Sequence, residues 1–541
     1  MTDVPDLVRR SRAASTRATF DRRVDAQAAT LRDDLRAGRL DCENFTLGLE
    51  LEVYAVDREG QLAALPDDAL DVCAKEIGVH NAELNTDPTT FDEAGIAAQE
   101  RDLREHFTAA QEATHREARD LVLDAVWTIP PAAGTRAYLG AVREDDGVVI
   151  ARNMRTDARY HALDNDVIDR TPEVSITVPG ADLRLSTVFL ESLATSMQPH
   201  FLVPSVAQFP RYFNAAIRSL GPMLALGTNA PFLPADCYDG EDDGTEGEGD
   251  GSGADRLDPI DVADRAPHEL RIGIFEESMN VDPPGKVRVP RDLDDAEEIV
   301  DRLLDDRVCA PFLREWIADA DTGIDVAADT GSDAEGTVTG GTTDEDGYAS
   351  GLWELDYKRS TYWRWVRPVF GGTPVEGACG ERSLRIEYRP LPTQPSLDGV
   401  IGLSVLLAGL LRGIVVTDHP VSSLPWDAAR SCFYDVVERG FDADLAWINT
   451  DGERVSEVDA VYDDLFTVAR RGLAEQGISA SVADEYLEPI EARVDARNAP
   501  SDWKKREVRA RVEDGADLER AITSMQREYI ERAGTPFAEW L

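Results

Sequence analysis

The stretch FTLGLELEV, residues 45–53, decides the fold of this chain. Every odd-numbered position in it is apolar, whereas Glu50 and Glu52 stand at even positions. Because successive side chains of a strand point to opposite faces, the alternation predicts a strand with one face in the core. The two glutamates then lie together on the other face, about 7 Å apart.

Three further segments show the same alternation of apolar and polar residues. They are AELN with Glu83 and Asn85, TSMQPHFLV with Ser196, Gln198 and His200, and SLRIEYRPLP with Arg385, Glu387 and Arg389. Any one of these segments is compatible with a half-exposed sheet that carries ordinary surface charges. Four of them in one chain indicate that carboxylates converge on one sheet face, where they would repel each other without a positive charge between them.

The residue types on this face suit a divalent cation and a phosphate. Carboxylate oxygens and one imidazole are ligands for Mg²⁺ or Mn²⁺ bound together with phosphates. Arginines between them provide forked donors for phosphate or carboxylate oxygens. The chain has no Walker A motif, no GxGxxG between a strand and a helix, and no GxSxG. The pattern therefore predicts metal-assisted phosphoryl transfer on a sheet surface without a phosphate-binding loop.

In chain order, these segments resemble motifs of the glutamate-cysteine ligase family. GLELEVYAVD is similar to the family's opening Gly-x-Glu-x-Glu strand, AELN to a strand with another metal-binding glutamate, and SMQPHFLV to its Gln-x-His strand. LALGTNAPF resembles its Leu-x-Ala-Asn-x-Pro-Phe turn, and LRIEYRPLPTQPSLDGV its Glu-x-Arg strand and following helix. WRWVRPVFG and YLEPIEARVDARNAPSDW are similar to segments of the longer family variants, so that the resemblance covers roughly residues 42–505.

The resemblance implies an α+β fold like the catalytic domain of glutamine synthetase. We expect a curved, mainly antiparallel sheet with helices on its back, followed by a helical C-terminal region. The implied domains are a helical segment at 1–40, a catalytic domain at 41–400 and a helical region at 401–541 packed on it. Two acidic insertions, at about 235–266 and 319–349, interrupt the catalytic domain.

The resemblance also implies an activity, the ATP-dependent joining of the glutamate γ-carboxylate to the amine of cysteine through a γ-glutamyl phosphate. The implied cofactors are ATP and Mg²⁺ or Mn²⁺. The implied metal ligands are Glu50, Glu52, Glu83, His200 and Glu387, and the implied catalytic residues are Arg389, Glu387 and His200. The implied residues that bind substrate or nucleotide are Arg159, Gln198, Arg271, Arg364, Arg367 and Arg385.

Several alternatives stay open at this point. The same chemistry could use another amine acceptor, the fold could serve a nucleotide-binding homologue without activity, or the site could be that of a metal-dependent phosphohydrolase. Arg159, Arg271, Arg364 and Arg367 could instead be surface arginines that pair with some of the 104 acidic residues.

Composition limits the class of partner. The 541 residues include 56 Lys and Arg against 104 Asp and Glu, which gives a formal net charge of −48. That charge excludes a protein that binds nucleic acid by neutralising phosphates, and it is typical of proteins from a high-salt cytoplasm. We therefore expect small-molecule substrates and no nucleic acid, and the sequence does not indicate an oligomeric state.

Two further features favour a cytoplasmic protein that does not bind a membrane. The most apolar run, GVIGLSVLLAGLL at 399–411, ends at Arg412 and is shorter than the about 20 residues that a membrane span needs. It is predicted to be a buried core helix. The six cysteines form no CxxC pair and the first residues contain no apolar leader, so we expect reduced thiols in the cytoplasm.

Overall fold

The structure is a computed structural model that describes residues 3–238, 257–318 and 348–540. Most of the two acidic insertions expected from the sequence lies outside the described residues. Fourteen strands are present in the described part of the chain. They are β1 (Thr46–Val56), β2 (Ala74–Lys75), β3 (Asn81–Asn85), β4 (Thr89–Thr90), β5 (Asp120–Val122), β6 (Val142–Asp145), β7 (Val148–Ala151), β8 (Val174–Val178), β9 (Ala181–Leu185), β10 (Met197–Leu202), β11 (Val366–Phe370), β12 (Leu384–Tyr388), β13 (Trp447–Ile448) and β14 (Arg454–Val455).

Eighteen helices occur in the same described ranges. They are α1 (Val4–Arg12), α2 (Ala14–Arg36), α3 (Glu93–Arg116), α4 (Thr135–Leu139), α5 (Ala158–Ile168), α6 (Phe209–Gly227), α7 (Pro259–Arg265), α8 (Leu270–Met279), α9 (Glu298–Asp305), α10 (Glu315–Ala318), α11 (Tyr348–Gly351), α12 (Trp353–Ser360), α13 (Leu397–Val416), α14 (Trp426–Arg439), α15 (Val458–Glu475), α16 (Ala480–Ala496), α17 (Pro500–Glu513) and α18 (Leu518–Arg532).

A curved antiparallel sheet of eight strands organises the chain. The strand order is β11-β12-β10-β1-β3-β2, with β4 and β5 also paired to β1, and the sheet curls into a half-barrel. Every strand pair in this sheet is antiparallel. The described chain beyond β12 is almost entirely helical. The fold class expected from the sequence is thereby confirmed.

The apolar face of the sheet packs against helix α6. The ring of Phe45 lies 5.6 Å from the ring of Tyr212 on α6, and the Ser219 hydroxyl of the same helix donates to the Tyr388 hydroxyl of β12. The opposite face is also covered, since Glu50 is only 5% exposed and Glu387 is fully buried. The alternation in β1 therefore separates an apolar core from a polar core rather than a core from solvent.

Helix α13 is the central helix of the helical region. Ser396 caps its first turn by accepting a hydrogen bond from the Gly399 amide. The helix is long and apolar enough to cross a membrane, but 89% of its most apolar window is buried inside the protein. Gly413 lets it approach α15 closely, because a Cβ there would lie 2.1 Å from the Val468 carbonyl oxygen. The prediction of a buried core helix is confirmed.

Local structure differs from the sequence pattern in three stretches. The pattern of residues 92–127 predicts one helix, but α3 ends at Arg116 and is followed by β5. The pattern of residues 172–204 predicts two strands, but the stretch forms three, because a turn at Gly180 with φ +83° makes a separate hairpin of β8 and β9. The pattern of residues 352–393 predicts strands, but the stretch begins with α12. The sequence WELDYK of this helix alternates apolar and polar residues as a strand would, and all residues of the helix are buried.

Two cysteines are joined in the structure. Cys42 and Cys379 form a disulfide across 337 residues of sequence, and Cys73, Cys237, Cys309 and Cys432 are free and buried. The pair meets because the segment before β1 runs beside the loop that joins β11 to β12, where the Glu43 amide donates to the Ala378 carbonyl at 2.9 Å. The expectation of six reduced thiols is therefore wrong for this pair.

Candidate active site

A first acidic group, formed by Glu50, His200 and Glu387, lies on the polar face of the central sheet. His200 is paired with Glu387 across β10 and β12, and it lies diagonally from Glu50 on β1. One ligand atom from each residue lies within 4.8 Å of those of the other two. His200 Nε2 is 3.1 Å from Glu50 Oε1, yet that oxygen and both ring nitrogens are buried and make no hydrogen bond.

A second acidic group lies further along the same face and consists of Glu52, Glu76 and Glu83. Glu52 and Glu83 are directly paired between β1 and β3, and Glu76 follows β2. Ligand atoms of the three lie within 4.8 Å of one another, and Glu83 Oε1 is buried without a hydrogen bond. Burial raises the pKa of Glu83 well above its ordinary value, and the charges of Glu50, Glu76 and Glu52 raise it further.

Burial also raises the pKa of Glu52 above its ordinary value. Burial has the largest effect, and it is opposed by the Ser196 amide and by the charges of Arg271 and Arg389. The Ser196 amide donates to Glu52 Oε2 at 2.6 Å. The raised pKa values of both carboxylates show that the nearby arginines do not offset burial and crowding.

Glu387 behaves in the opposite way. Burial alone would raise its pKa, but Arg367, Arg389 and His200 outweigh burial and lower that pKa well below its usual range. Arg367 Nε donates to Glu387 Oε2 at 2.6 Å, and Arg389 Nη1 donates to the other oxygen. Glu387 is therefore an anion held in a fixed orientation.

Arg389 connects the two acidic groups. Its Nη1 also donates to Gln198 Oε1 at 2.6 Å, and Gln198 Nε2 in turn donates to Glu52 Oε1 at 3.1 Å. A continuous chain of hydrogen bonds thus runs from Glu387 to Glu52 across three strands. A guanidinium lies between two sets of carboxylates, which is where a transferred phosphoryl group would need a positive charge.

A cavity of about 160 Å³ opens beside the second acidic group. Its lining includes Gln198, Arg159, Arg271 and Arg389. Phe275 and Trp363 supply an apolar wall. Arg271 is held by the Arg389 carbonyl, to which its Nη2 donates at 3.1 Å, and burial lowers its pKa. The combination of arginines and carboxylates suits a small substrate that carries both charges.

Glu191 lies in the same cavity and was not predicted from the sequence. It is part of a short 3₁₀ helix, Val188–Leu193, and its Oε1 is buried without a hydrogen bond. Burial raises its pKa well above the ordinary value, against the lowering effect of Arg389. Glu76 was missed as well. Neither residue belongs to an alternating strand, so that only the tertiary contacts identify them.

Of the remaining predicted arginines, Arg367 and Arg385 lie near Glu387, whereas Arg364 lies elsewhere. Arg367 lies on β11 beside Glu387 and also donates to the Ser360 carbonyl at 3.0 Å. Arg385 lies on the same face of β12, where its Nη2 donates to the Gly371 carbonyl at 2.8 Å and burial lowers its pKa to about 10. Arg364 does not reach the site, because it precedes β11 and its Nη2 donates to Asp306 at 2.8 Å in a different cavity.

Both acidic groups fit divalent cations. Each provides three oxygen or imidazole donors within reach of one ion, and each includes buried acceptor atoms that no protein donor satisfies. Buried polar atoms are rarely left without a partner, so that these atoms indicate ligands. The donor set of carboxylates and one imidazole is the one that Mg²⁺ and Mn²⁺ accept.

Solved structures of other proteins are similar to the chain at low sequence identity. Two of these are as follows. One is glutamate-cysteine ligase from Francisella tularensis in complex with AMP, with 13% identity, a TM-score of 0.48, and 91% of this chain and 89% of the other covered. The other is a bifunctional glutathione synthetase from Pasteurella multocida, with 12% identity, a TM-score of 0.48, and 90% of this chain and 52% of the other covered.

No curated protein matches the chain. The model of a protein family, described as glutamate-cysteine ligase family 2 (GCS2), matches residues 46–535. The match runs from the first residue of β1 to three residues beyond α18 and includes both acidic groups. The chain therefore belongs to glutamate-cysteine ligase family 2.

Proposed function

We propose that the protein is an ATP- and Mg²⁺-dependent glutamate-cysteine ligase that forms γ-glutamylcysteine. The observation that carries the proposal is the pair of acidic groups, with unsatisfied acceptor atoms, linked by Arg389 on one face of the sheet. Membership of the family supports a ligase that joins a carboxylate to an amine.

The chemistry requires activation of a carboxylate. A carboxylate does not react with an amine at a useful rate, whereas an acyl phosphate has a good leaving group. The γ-carboxylate of glutamate would attack the terminal phosphorus of ATP, which releases ADP and forms γ-glutamyl phosphate. The amine of cysteine would then attack the acyl carbon, lose a proton and expel phosphate.

The two acidic groups would each bind one metal ion. Glu50, His200 and Glu387 would hold one cation and Glu52, Glu76 and Glu83 another. Bound Mg²⁺ supplies charge neutralisation and in-line orientation of the phosphates.

Arg389 lies between the two acidic groups and would stabilise the negative charge of the transferred phosphoryl group. Gln198 and Glu387 fix the direction of this guanidinium. Arg159 and Arg271, in the cavity wall, would bind substrate carboxylates.

Composition supports two further parts of the proposal. The chain has 104 acidic and 56 basic residues. This excess of negative charge suits a cytoplasmic protein adapted to high salt, with small molecules as partners. The helices beyond residue 400 would form a region packed on the catalytic part, since α13 contacts α6 behind the sheet.

The test is an assay of ADP release and of product formation with ATP, Mg²⁺, glutamate and a panel of amines in molar KCl. We expect ADP release that depends on both glutamate and cysteine. Turnover with another amine but not with cysteine would identify a different acceptor. Phosphate release without any amine would identify a phosphohydrolase, and absence of nucleotide binding in calorimetry would identify an inactive homologue.

A further inference from the structure

A second cavity has a volume of about 890 Å³. The segment 362–364 lies between this cavity and the candidate active site. The linings of the two cavities share no residue. Seven basic and four acidic side chains line the second cavity, although acidic residues outnumber basic ones by 104 to 56 in the whole chain. The charge balance of the chain is therefore reversed at this place.

The inner end of the cavity concentrates two cations on one carboxylate. Arg364 Nη2 donates to Asp306 Oδ1 at 2.8 Å, and Lys286 Nζ donates to the other oxygen of Asp306. Lys286 and Arg364 are 7% and 4% exposed. Asp306 thus neutralises only half of the positive charge that faces it.

The outer part of the cavity contains arginines with no close carboxylate partner. In the described residues, Arg288 and Arg430 form no ion pair, and Arg288 Nη1 donates only to the Pro284 carbonyl at 3.2 Å. The Arg430 guanidinium lies 4.7 Å from the ring of Tyr434. Burial lowers the pKa of Arg288, and the neighbouring charges of Arg364 and Arg291 lower it further. Like charges converge here as the carboxylates do in the candidate active site.

We propose that this cavity binds a small phosphate-bearing anion with two or more negative charges, such as a pyrophosphate group or a phosphate ester. Guanidinium forks match phosphate oxygens, and a terminal phosphate has three oxygens that accept from several arginines at once, whereas a carboxylate has two. A bound phosphate would supply the negative charge that Arg288 and Arg430 lack.

The cavity also touches the wall of the candidate active site. Lys286 Nζ lies 5.6 Å from the centre of the Trp363 ring, and Trp363 lines the first cavity. The proposed anion site is nevertheless separate from the proposed ligase chemistry. Its occupancy depends on neither acidic group, so that the two proposals stand or fall independently.

The experiment is calorimetric titration of potassium pyrophosphate into the full-length chain in EDTA at a fixed KCl concentration. EDTA removes the divalent ions through which the acidic groups would hold phosphates. We expect saturable binding of one equivalent. The double variant Arg288→Gln, Arg430→Gln should weaken binding at least 10-fold, and the single variant Arg430→Gln, whose side chain is exposed, should weaken it without any effect on folding.

Two control variants locate the site. Arg439→Gln removes one positive charge from the same helix, α14, outside the cavity, and should leave the affinity unchanged. Arg389→Gln removes the central arginine of the candidate active site and should also leave it unchanged. Absence of saturable binding, equal affinity in the double variant, or loss of binding in Arg389→Gln would each overturn the proposal. Equally tight binding of citrate would overturn the phosphate class.

Discussion

Two buried charged sites of this protein differ in how completely their atoms are satisfied. Asp124, two residues after β5, and Lys504 on α17 are both fully buried, and Lys504 Nζ donates to Asp124 Oδ1 and to the Asn229 carbonyl. Gln526 Nε2 donates to the other oxygen of Asp124 at 2.7 Å. The group Glu50, His200 and Glu387 is equally buried but leaves acceptor atoms without partners.

The difference separates a structural site from a site for a ligand. At Asp124 every polar atom has a protein partner, so the pair ties the helical region to the segment after β5 and offers no free acceptor to a ligand. In the acidic groups the protein provides acceptors and too few donors, and a cation from solution would complete them. Both sites are buried, so that the balance of charge and the state of the hydrogen bonds distinguish them.

The largest effect is expected from breaking the satisfied site. Lys504→Met leaves Asp124 buried without a cation, and we expect the free energy of unfolding to fall by about 3–5 kcal/mol. Chemical denaturation measures this loss. The double variant Asp124→Asn, Lys504→Met should recover part of it, and a single variant as stable as the wild type would show that the pair is not structural.

The next effect is expected from Glu387→Gln at the unsatisfied site. The substitution removes a charge from the cation site and one partner of Arg389, so that we expect kcat for ligation to fall on the order of 10²-fold or more. Circular dichroism should show a folded protein at the assay temperature. Glu453→Gln, at an exposed glutamate, is the matched control and should keep normal turnover; normal turnover in Glu387→Gln would reject the assignment.

Removal of the metal provides a third comparison. Mg²⁺ at about 100 times its Kd stabilises a protein by about 2.7 kcal/mol per site. We expect Mg²⁺ to raise the melting temperature of the wild type. The increase should be smaller in the variant Glu83→Gln, because the second acidic group of that variant lacks one metal ligand. Thermal scans with Mg²⁺ and with EDTA measure both. An identical Mg²⁺ response in the two proteins would exclude Glu83 as a ligand.

The smallest effect concerns pH and Asp164, a buried, hydrogen-bonded carboxyl that forms no ion pair with any described residue. Burial raises its pKa to about 7, against the Val188 amide and the Thr187 hydroxyl that donate to it. The folded state therefore favours the protonated acid, so that its contribution to stability is complete below about pH 4 and declines as the pH rises to about 7.

Asp164→Asn should remove this decline. We expect the difference in unfolding free energy between wild type and variant to change by about 1 kcal/mol from pH 6 to pH 7, with the wild type losing stability relative to the variant. Denaturation at several pH values measures it. Parallel pH profiles of the two proteins would contradict the raised pKa.

Much of the sheet was predictable, because the alternation of apolar and polar residues is a property of neighbouring positions in the sequence. The alternation in residues 45–53 and 384–389 predicted strands with the polar residues on one face, and the structure has β1 and β12 there. Arg364 illustrates the limit, because it lies three residues before Arg367 but outside the strand, and its side chain points to another cavity. Helix α12 was missed because its sequence WELDYK alternates apolar and polar residues, which is the pattern of a strand.

The sequence by itself determined which side chains share a face of each strand, because that direction depends only on the backbone of neighbouring residues. The tertiary structure alone decided the pairing of strands and their register, which depend on hydrogen bonds between distant segments. That register divides the glutamates into two groups, places Glu50 with His200 and Glu387, and brings Glu76 beside Glu52 and Glu83. Which buried charges find a protein partner and which are left for a ligand is likewise a property of the packed molecule.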